Sequence, residues 1–198
     1  MSKSSSAGLV YKYFKEALLS SRRILVIGCP GAGKTTFAKR LCGILGVPLL
    51  QLDEMNWETG WRRAQPEVFL QRMRSAMACD RAVIDGNYAG SLPERLYWAD
   101  AVVYLDVPTA TALLGFLGRA ARRRWSSDRN LPGSIAPGEA CREPLSLAFL
   151  IFILGFRFSV RPRIERMLES HEALKVVRLT SWAQCNRLLG ALTREIAR

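Results

Sequence analysis

The run Gly28-Cys29-Pro30-Gly31-Ala32-Gly33-Lys34-Thr35-Thr36 combines glycines, one lysine and two hydroxyls at a spacing that suits a chain of phosphates. Gly28 to Thr35 fits G-x-x-x-x-G-K-S/T in full. Glycines let several backbone N–H groups turn inward around an anion without Cβ clashes. A helix opening at Lys34 would add the positive end of its dipole. Gly28, Pro30, Gly31, Ala32, Gly33, Lys34, Thr35 and Thr36 are therefore the candidate cradle for ATP. Lys34 is also a catalytic candidate, since it can reach the terminal phosphates, and the Thr35 hydroxyl is a ligand for Mg²⁺. A plain Gly-rich turn would leave the Lys34-Thr35 pair without a purpose.

A carboxylate must help the Thr35 hydroxyl hold such a metal or its waters. Asp85 and Asp106 both end apolar runs, "AVID" and "AVVYLD". Asp85 is the favoured metal residue because Gly86 and Asn87 turn the chain tightly beside it. Asp106 reads as a strand-end or helix-capping residue before Thr109. On the acceptor side, "DEMNWETGWRR" (53–63) holds two acids, two tryptophans and two arginines. Asp53 could accept a hydrogen bond from an acceptor hydroxyl or take its proton as a general base. Trp57 or Trp61 could stack on an acceptor, or simply anchor the loop. Arg62, Arg63 or Arg95 could hold an acceptor phosphate, and Asn87 and Tyr88 could line the same cleft. The "RAARRRW" run places Arg119, Arg122 and Arg123 on one side of a helix, with Arg124 beside them. Guanidinium groups there could clamp phosphate oxygens, although a solvated basic face is the plainer reading of a charge run.

The elements that must position these residues alternate. "ILVIG" (24–28), "PLLQLD" (48–53), "AVIDG" (82–86), "AVVYLDVP" (101–108) and "KVVRL" (175–179) read as five strands. Between and after them lie helical patterns at 34–45, 66–80, 109–124, up to about 170, and from 182 onward. This is the α/β class, a P-loop nucleoside-triphosphatase fold with a five-stranded parallel sheet flanked by helices. Ligands of such open sheets bind outside the carboxyl ends of the strands, where Gly28, Asp53, Asp85 and Asp106 all fall. "WSSDRNLPGSIAPGEA" (125–140) is full of turn formers and reads as a lid loop.

The chain has 198 residues, enough for one domain, and a formal net charge of +12. That field favours anions: nucleotides, nucleic acid or acidic lipid headgroups. Five cysteines with no CxxC spacing argue against a disulfide framework or a zinc site, and for a reducing, cytoplasmic setting. Cys29 reads as a small residue filling a tight turn. His171, the only histidine, lies in a polar stretch and carries no catalytic expectation. The first 21 residues lack a signal-peptide core and read as an extension outside the main fold. "PLSLAFLIFILGF" (144–156) is the most apolar segment. It is too short to span a bilayer and reads as a buried helix, with membrane contact as the lesser alternative. No guanine-reading N-K-x-D is present, and the chain is short for a motor ATPase, which leaves a phosphotransferase with a lid.

Taken in order, "LVIGCPGAGKTTFAKRL", "LDEMNW", "VIDGNY", "RLYWADAVVYLDVP", "RAARRRW" and "RPRI" resemble the topology-modulation (FlaR-like) proteins, a branch of adenylate-kinase-like P-loop proteins. The resemblance covers about residues 22 to 183. It implies a small-molecule-kinase fold in 22–198, with a mobile lid insertion around 122–163 and residues 1–21 outside it. It also implies that Asp85 acts on the metal through water and that Asp53 contacts the phosphate acceptor. By the same resemblance Arg119, Arg122, Arg123 and Arg124 lead into the lid, and Arg161 and Arg163 lead back out. Arg119, Arg123 and Arg161 are thereby catalytic candidates, and Arg119, Arg122 and Arg163 are nucleotide-binding ones. The implied activity is transfer of the ATP γ-phosphoryl group to a nucleotide or other small hydroxyl or phosphate acceptor. The family name points to the alternative, a nucleotide-binding regulator associated with DNA, for which no DNA-reading motif is evident. "LSLAFLIFILGF" is more aliphatic than the family pattern, and the first twenty residues have no counterpart in it.

Overall fold

The computed structural model of the chain describes residues 3–59, 62–125 and 147–198, with side chains described outside 3–7 and 122–125. The core is a five-stranded sheet. β1 (Arg23–Gly28) lies at its centre, between β5 (Ala82–Asp85) and β6 (Ala101–Leu105). β2 (Leu49–Gln51) flanks β5, and β7 (Lys175–Leu179) flanks β6. Every pairing is parallel. Parallel strands are covered on both faces and so read as continuous apolar runs. Ile24 to Ile27 and Val102 to Leu105 are all at most 1% exposed, which is why they stood out in the sequence.

The strand order sets up the site. β5 is the immediate neighbour of β1, in the register Val26↔Asp85. The carboxylate that ends β5 therefore emerges beside the loop that leaves β1. α2 (Lys34–Leu45) follows that loop, burying Phe37, Ala38 and Leu41. It stops at Gly46, which adopts a left-handed conformation (φ 65°) and donates its N–H to the Cys42 carbonyl.

The second strand is shorter than its apolar run. After Gln51 the chain winds into a short helix, α3 (Leu52–Asn56), and then a two-stranded hairpin of β3 (Trp57–Glu58) and β4 (Arg62–Arg63). α4 (Pro66–Ala76) ends four residues before the expected 80. α5 (Leu92–Trp98) was not foreseen. α6 (Thr109–Trp125) and α7 (Leu147–Ser159) pack side by side, with the Phe116 and Phe149 rings 5.1 Å apart. α8 (Arg161–Glu169) leads to β7, and α9 (Trp182–Ile196) closes the fold. The lid loop expected at 125–140 lies, beyond Trp125, outside the described residues.

Two expectations need correction. Residues 3–19 form a helix, α1 (Lys3–Leu19), that is part of the core and does not stand outside it. Ala17 and Leu18 are buried, and α1 packs on α9 and β7. Lys15 Nζ meets Glu195 Oε2 at 2.7 Å, and the Arg187 guanidinium lies over the Tyr11 ring. The pattern misled because α1 buries only its last turn, so its apolar periodicity is weak. α7, expected to be buried, buries only Ile153 and Phe156. Among the described residues no helix is long and apolar enough to cross a membrane.

The packing of α1 has a measurable consequence. Leu18→Ala should cost about 2–5 kcal/mol of unfolding free energy, the usual range for a buried leucine. Urea unfolding followed by circular dichroism reads it. A loss below about 0.5 kcal/mol would place Leu18 on the surface.

Candidate functional site

The loop from Gly28 to Gly33 crosses the end of the sheet. Gly28, Gly31 and Gly33 take φ values of 147°, 82° and 86°. Gly31 has a second reason to be glycine, because a Cβ there would come within 2.0 Å of the Ala112 carbonyl oxygen of α6. A Cβ on Gly33 would sit 1.9 Å from the Trp182 ring, so that indole lies directly against the loop. Sequence reasoning missed Trp182 because it is 149 positions away, at the first residue of α9. Gly33 ends the loop at the start of α2 and offers no side chain to that helix, which leaves the first N–H groups of α2 for an anion.

Lys34 folds back so that its Nζ donates to the Cys29 carbonyl at 3.2 Å. Burial pushes the ammonium pKa down. Asp85, Asp53 and Cys29 oppose that shift, and Arg119 adds to it. Thr35 Oγ1 donates to Asp85 Oδ2 at 2.5 Å. Asp85 is 6% exposed, and its Oδ1 has no hydrogen-bond partner among the described residues. Burial raises the Asp85 pKa against the pull of Lys34 and the Thr35 hydroxyl. A buried carboxylate oxygen without a partner, next to a hydroxyl, fits a hard divalent cation. Groups of three or more acidic, histidine or cysteine side chains able to hold a metal are absent among the described residues. Mg²⁺ takes one or two protein ligands and completes its shell with phosphate and water.

The turn after Asp85 ties the site together. Asn87 Nδ2 donates to the Gly28 carbonyl at 2.6 Å, and Asn87 Oδ1 accepts the Gly28 N–H at 3.0 Å. One carboxamide thus clamps both backbone groups of the first loop glycine. Tyr88 sits at φ 32°, a strained value for a side-chain-bearing residue, and its hydroxyl donates to Asp53 Oδ1 at 2.6 Å. Its ring packs on Phe69 of α4, with centroids 5.0 Å apart.

Arg95 holds this turn from beneath, which corrects its expected role as an acceptor-phosphate ligand. It is fully buried. Its guanidinium donates to the carbonyls of Gly86 (2.9 Å) and Tyr88 (3.0 Å), and also to that of Asn87. Nε donates to Ser91 Oγ at 3.3 Å. Burial pushes Arg95 down to about 10, which leaves it charged at neutral pH.

The remaining candidates separate into groups. Asp53 lies in the first turn of α3, and its charge acts on Lys34, Asp85 and Arg119. Arg119, on α6, is pulled down by burial and held up by Asp53 and Asp85. Lys34, Thr35, Asp85, Asp53 and Arg119 are therefore one electrostatic unit. Arg161 instead faces Asp106 (3.1 Å) and Glu165 (3.3 Å), and Arg178 also reaches Asp106, at 2.8 Å. Asp106 is thus engaged in an ion-pair network at the end of β6, while Asp85 takes the place beside Thr35. Arg163 is exposed on α8, and Thr36 is exposed on α2. The side chains of Arg122 and Arg123, like Trp61, lie outside the described residues. Trp57 stacks under Arg63 at 5.5 Å and lines a groove with Met55, Glu58 and Arg72 that includes neither Asp53 nor a loop residue. His171 is occupied with the Met167 carbonyl at 2.7 Å.

Residues 24–84 match the family described as ATPase family associated with various cellular activities (AAA). That span covers the loop and the sheet up to the residue before Asp85. No curated protein matches. Among solved structures, shikimate kinase from Acinetobacter baumannii in complex with shikimate is similar at 17% identity and TM-score 0.51. That match covers 92% of this chain and 97% of the kinase. A putative kinase from Chloroflexus aurantiacus is similar at 18% identity and TM-score 0.51, over 87% of this chain and 97% of that one. The fold is that of the kinase-like P-loop proteins. At these identities the likeness concerns the fold.

Two tests probe this wiring. Arg95→Ala should lower unfolding stability by about 3 kcal/mol or more, because it strands three carbonyls in the interior. Asn87→Ala should spare the fold but weaken ATP binding in calorimetry, since Gly28 loses both contacts. Equal ATP affinity in Asn87→Ala and the parent protein would remove the clamp from the site.

Burial also raises the Cys29 thiol to about 11, against the pull of Lys34. A raised thiol pKa means a neutral, unreactive group at pH 8, with thiolate appearing only as pH nears that value. Iodoacetamide at pH 8 should leave Cys29 unmodified in the native protein, as read by peptide mass spectrometry. Rapid labelling would show the thiol to be exposed.

Proposed function

We propose that the protein is an ATP- and Mg²⁺-dependent phosphotransferase that moves the γ-phosphoryl group to the hydroxyl of a small molecule. The observation that carries this reading is the Thr35–Asp85 contact beside Lys34, with Asp53 joined to the same turn through Tyr88. Phosphoryl transfer needs positioning and charge stabilisation more than covalent chemistry. The backbone N–H groups of the loop and the start of α2 would cradle the phosphates. Lys34 and Arg119 would neutralise the charge that develops on the transferred group. Thr35 and Asp85 would hold Mg²⁺, which would supply positive charge against the phosphates.

In the reaction, the acceptor hydroxyl oxygen bonds to the γ-phosphorus as the bond to the β–γ bridging oxygen breaks. ADP leaves, and the hydroxyl proton passes to Asp53. A carboxylate facing the acceptor suits an O–H group, which donates to it, and repels a phosphate. The removal of Arg95 from the acceptor cleft weakens a phosphate acceptor further. The fold shared with a shikimate kinase, whose ligand carries hydroxyls, is compatible with this choice. The finer family resemblance, to the topology-modulation proteins, supports the nucleotide-kinase-like core and leaves the acceptor open.

The test is ADP formation from Mg-ATP across a panel of small polyols, hydroxy acids, nucleosides and nucleoside monophosphates. One acceptor should raise turnover well above the basal rate. Lys34→Ala should lose about a hundredfold or more of it. Asp53→Asn should lose about 10²–10⁴-fold while keeping ATP affinity. Undiminished turnover in Lys34→Ala would sink the reading. ATP binding without stimulation by any acceptor would move the assignment to a nucleotide-binding regulator, with DNA as the next ligand.

A further inference from the structure

α7 carries an apolar face turned away from the core formed by the described residues. Phe149, Ile153 and Phe156 turn toward the core, and Phe149 meets Phe116 of α6. On the opposite side Leu147, Ile151, Leu154 and Phe158 follow one another at intervals of four, three and four residues, which aligns them along the helix. They are 72%, 59%, 51% and 82% exposed. Phe152 and, on α6, Leu114 and Leu117 add to the exposed apolar surface. Four large apolar side chains in one continuous row is more than the scatter of single exposed residues that any surface carries.

The charge around this row says what covers it. Neither α6 nor α7 contains an aspartate or glutamate. Arg157 projects into solvent from the flank of the row, and α8 beyond it carries exposed Arg163 and Arg166 against one exposed acid, Glu169, with Glu165 ion-paired to Arg161. The whole chain carries +12. A second copy would bring the same basic flank against this one, and like charges would oppose that contact. An acyl-chain boundary beneath anionic headgroups satisfies both the row and its flank. A helix of 13 residues is about 20 Å long, too short to cross a bilayer but suited to lie in its plane.

We propose that the α6–α7 face is a peripheral docking site for an anionic lipid surface. The Leu147–Ile151–Leu154–Phe158 row enters the headgroup boundary, and the basic flank pairs with headgroup phosphates. The proposal stands independently of the phosphotransferase reading, since none of these residues belongs to the P-loop site.

Sedimentation with vesicles tests it. The full chain is mixed with vesicles of phosphatidylcholine alone, or of phosphatidylcholine with about 30 mol % phosphatidylglycerol. A Leu154→Gln/Phe158→Gln double variant is run alongside, with its thermal unfolding and ATP affinity measured as controls of folding. The anionic vesicles should take down the parent protein, and the double variant should bind them at least about tenfold more weakly. Raised salt should weaken the parent's binding. Three results would each overturn the proposal. One is failure to bind anionic vesicles. Another is equal binding by the double variant, which would leave only adsorption by net charge. The third is a dimer in sedimentation velocity that the double variant abolishes, which would assign the face to a second copy. Because ATP affinity is measured on the same samples, a failure here is distinct from a failure of the nucleotide site.

Discussion

The bidentate contact between the Asn87 carboxamide and Gly28 is the constraint on which the rest of the site depends. Gly28 is the last residue of β1 and the first of the phosphate loop. Its φ of 147° leaves it poorly held by its own conformational preferences. Asn87 fixes it from the neighbouring strand, and the pairing of β1 with β5 brings Asn87 into range. The same five-residue stretch, Asp85 to Ala89, also delivers the carboxylate to Thr35 and the Tyr88 hydroxyl to Asp53. Three functions are thereby slaved to one turn. The fully buried Arg95 is the reason that turn can be rigid. Its donors satisfy three successive carbonyls that would otherwise face the interior unpaired.

Much of this was legible before any coordinates. Parallel strands buried on both faces leave uninterrupted apolar runs, so all five sheet strands were visible as such, as was the Lys34–Leu45 helix between Gly33 and Gly46. The loop glycines, Lys34, Thr35 and Asp85 were legible because their chemistry dictates their types and their spacing. What was hidden has a common cause. Arg95 looked like a phosphate ligand because an arginine's burial leaves no mark in a single sequence. Trp182 and Asn87 act through tertiary contacts with residues 149 and 59 positions away. α3 and the β3–β4 hairpin lie in a loop whose polar residues have no periodicity. α1 was read as an appendage because only its final turn reaches the core.

α6 links the site to the rest of the surface. Its Gly115 approaches Gly31 so closely that a Cβ would come within 2.2 Å of the Gly31 carbonyl oxygen. The backbones of the loop and the helix are therefore in direct contact at this point. One turn further along, Arg119 faces the electrostatic unit around Lys34, and the opposite side of the helix pair presents exposed leucines and phenylalanines. The α6–α7 surface and the phosphate loop thus share one helix, whose backbone touches the loop at Gly115 and Ala112.

Burial acts on the charged groups around Lys34 in opposite senses. Lys34 and Arg119 are both pulled below their ordinary values by burial, so each ammonium or guanidinium charge is under-solvated where it stands. Asp85 is raised for the same reason, so its negative charge is also costly. Lys34 and Asp85 offset each other in part, and Lys34 Nζ donates to the Cys29 carbonyl. A polyphosphate with its cation would place anionic oxygens beside Lys34 and positive charge beside Asp85 Oδ1. The sign of the linkage follows. An ammonium whose pKa is depressed by burial has it raised by an adjacent anion, so anion binding would favour its charged form. A site assembled for stability alone would have placed Asp85 and Lys34 in direct contact, or removed both.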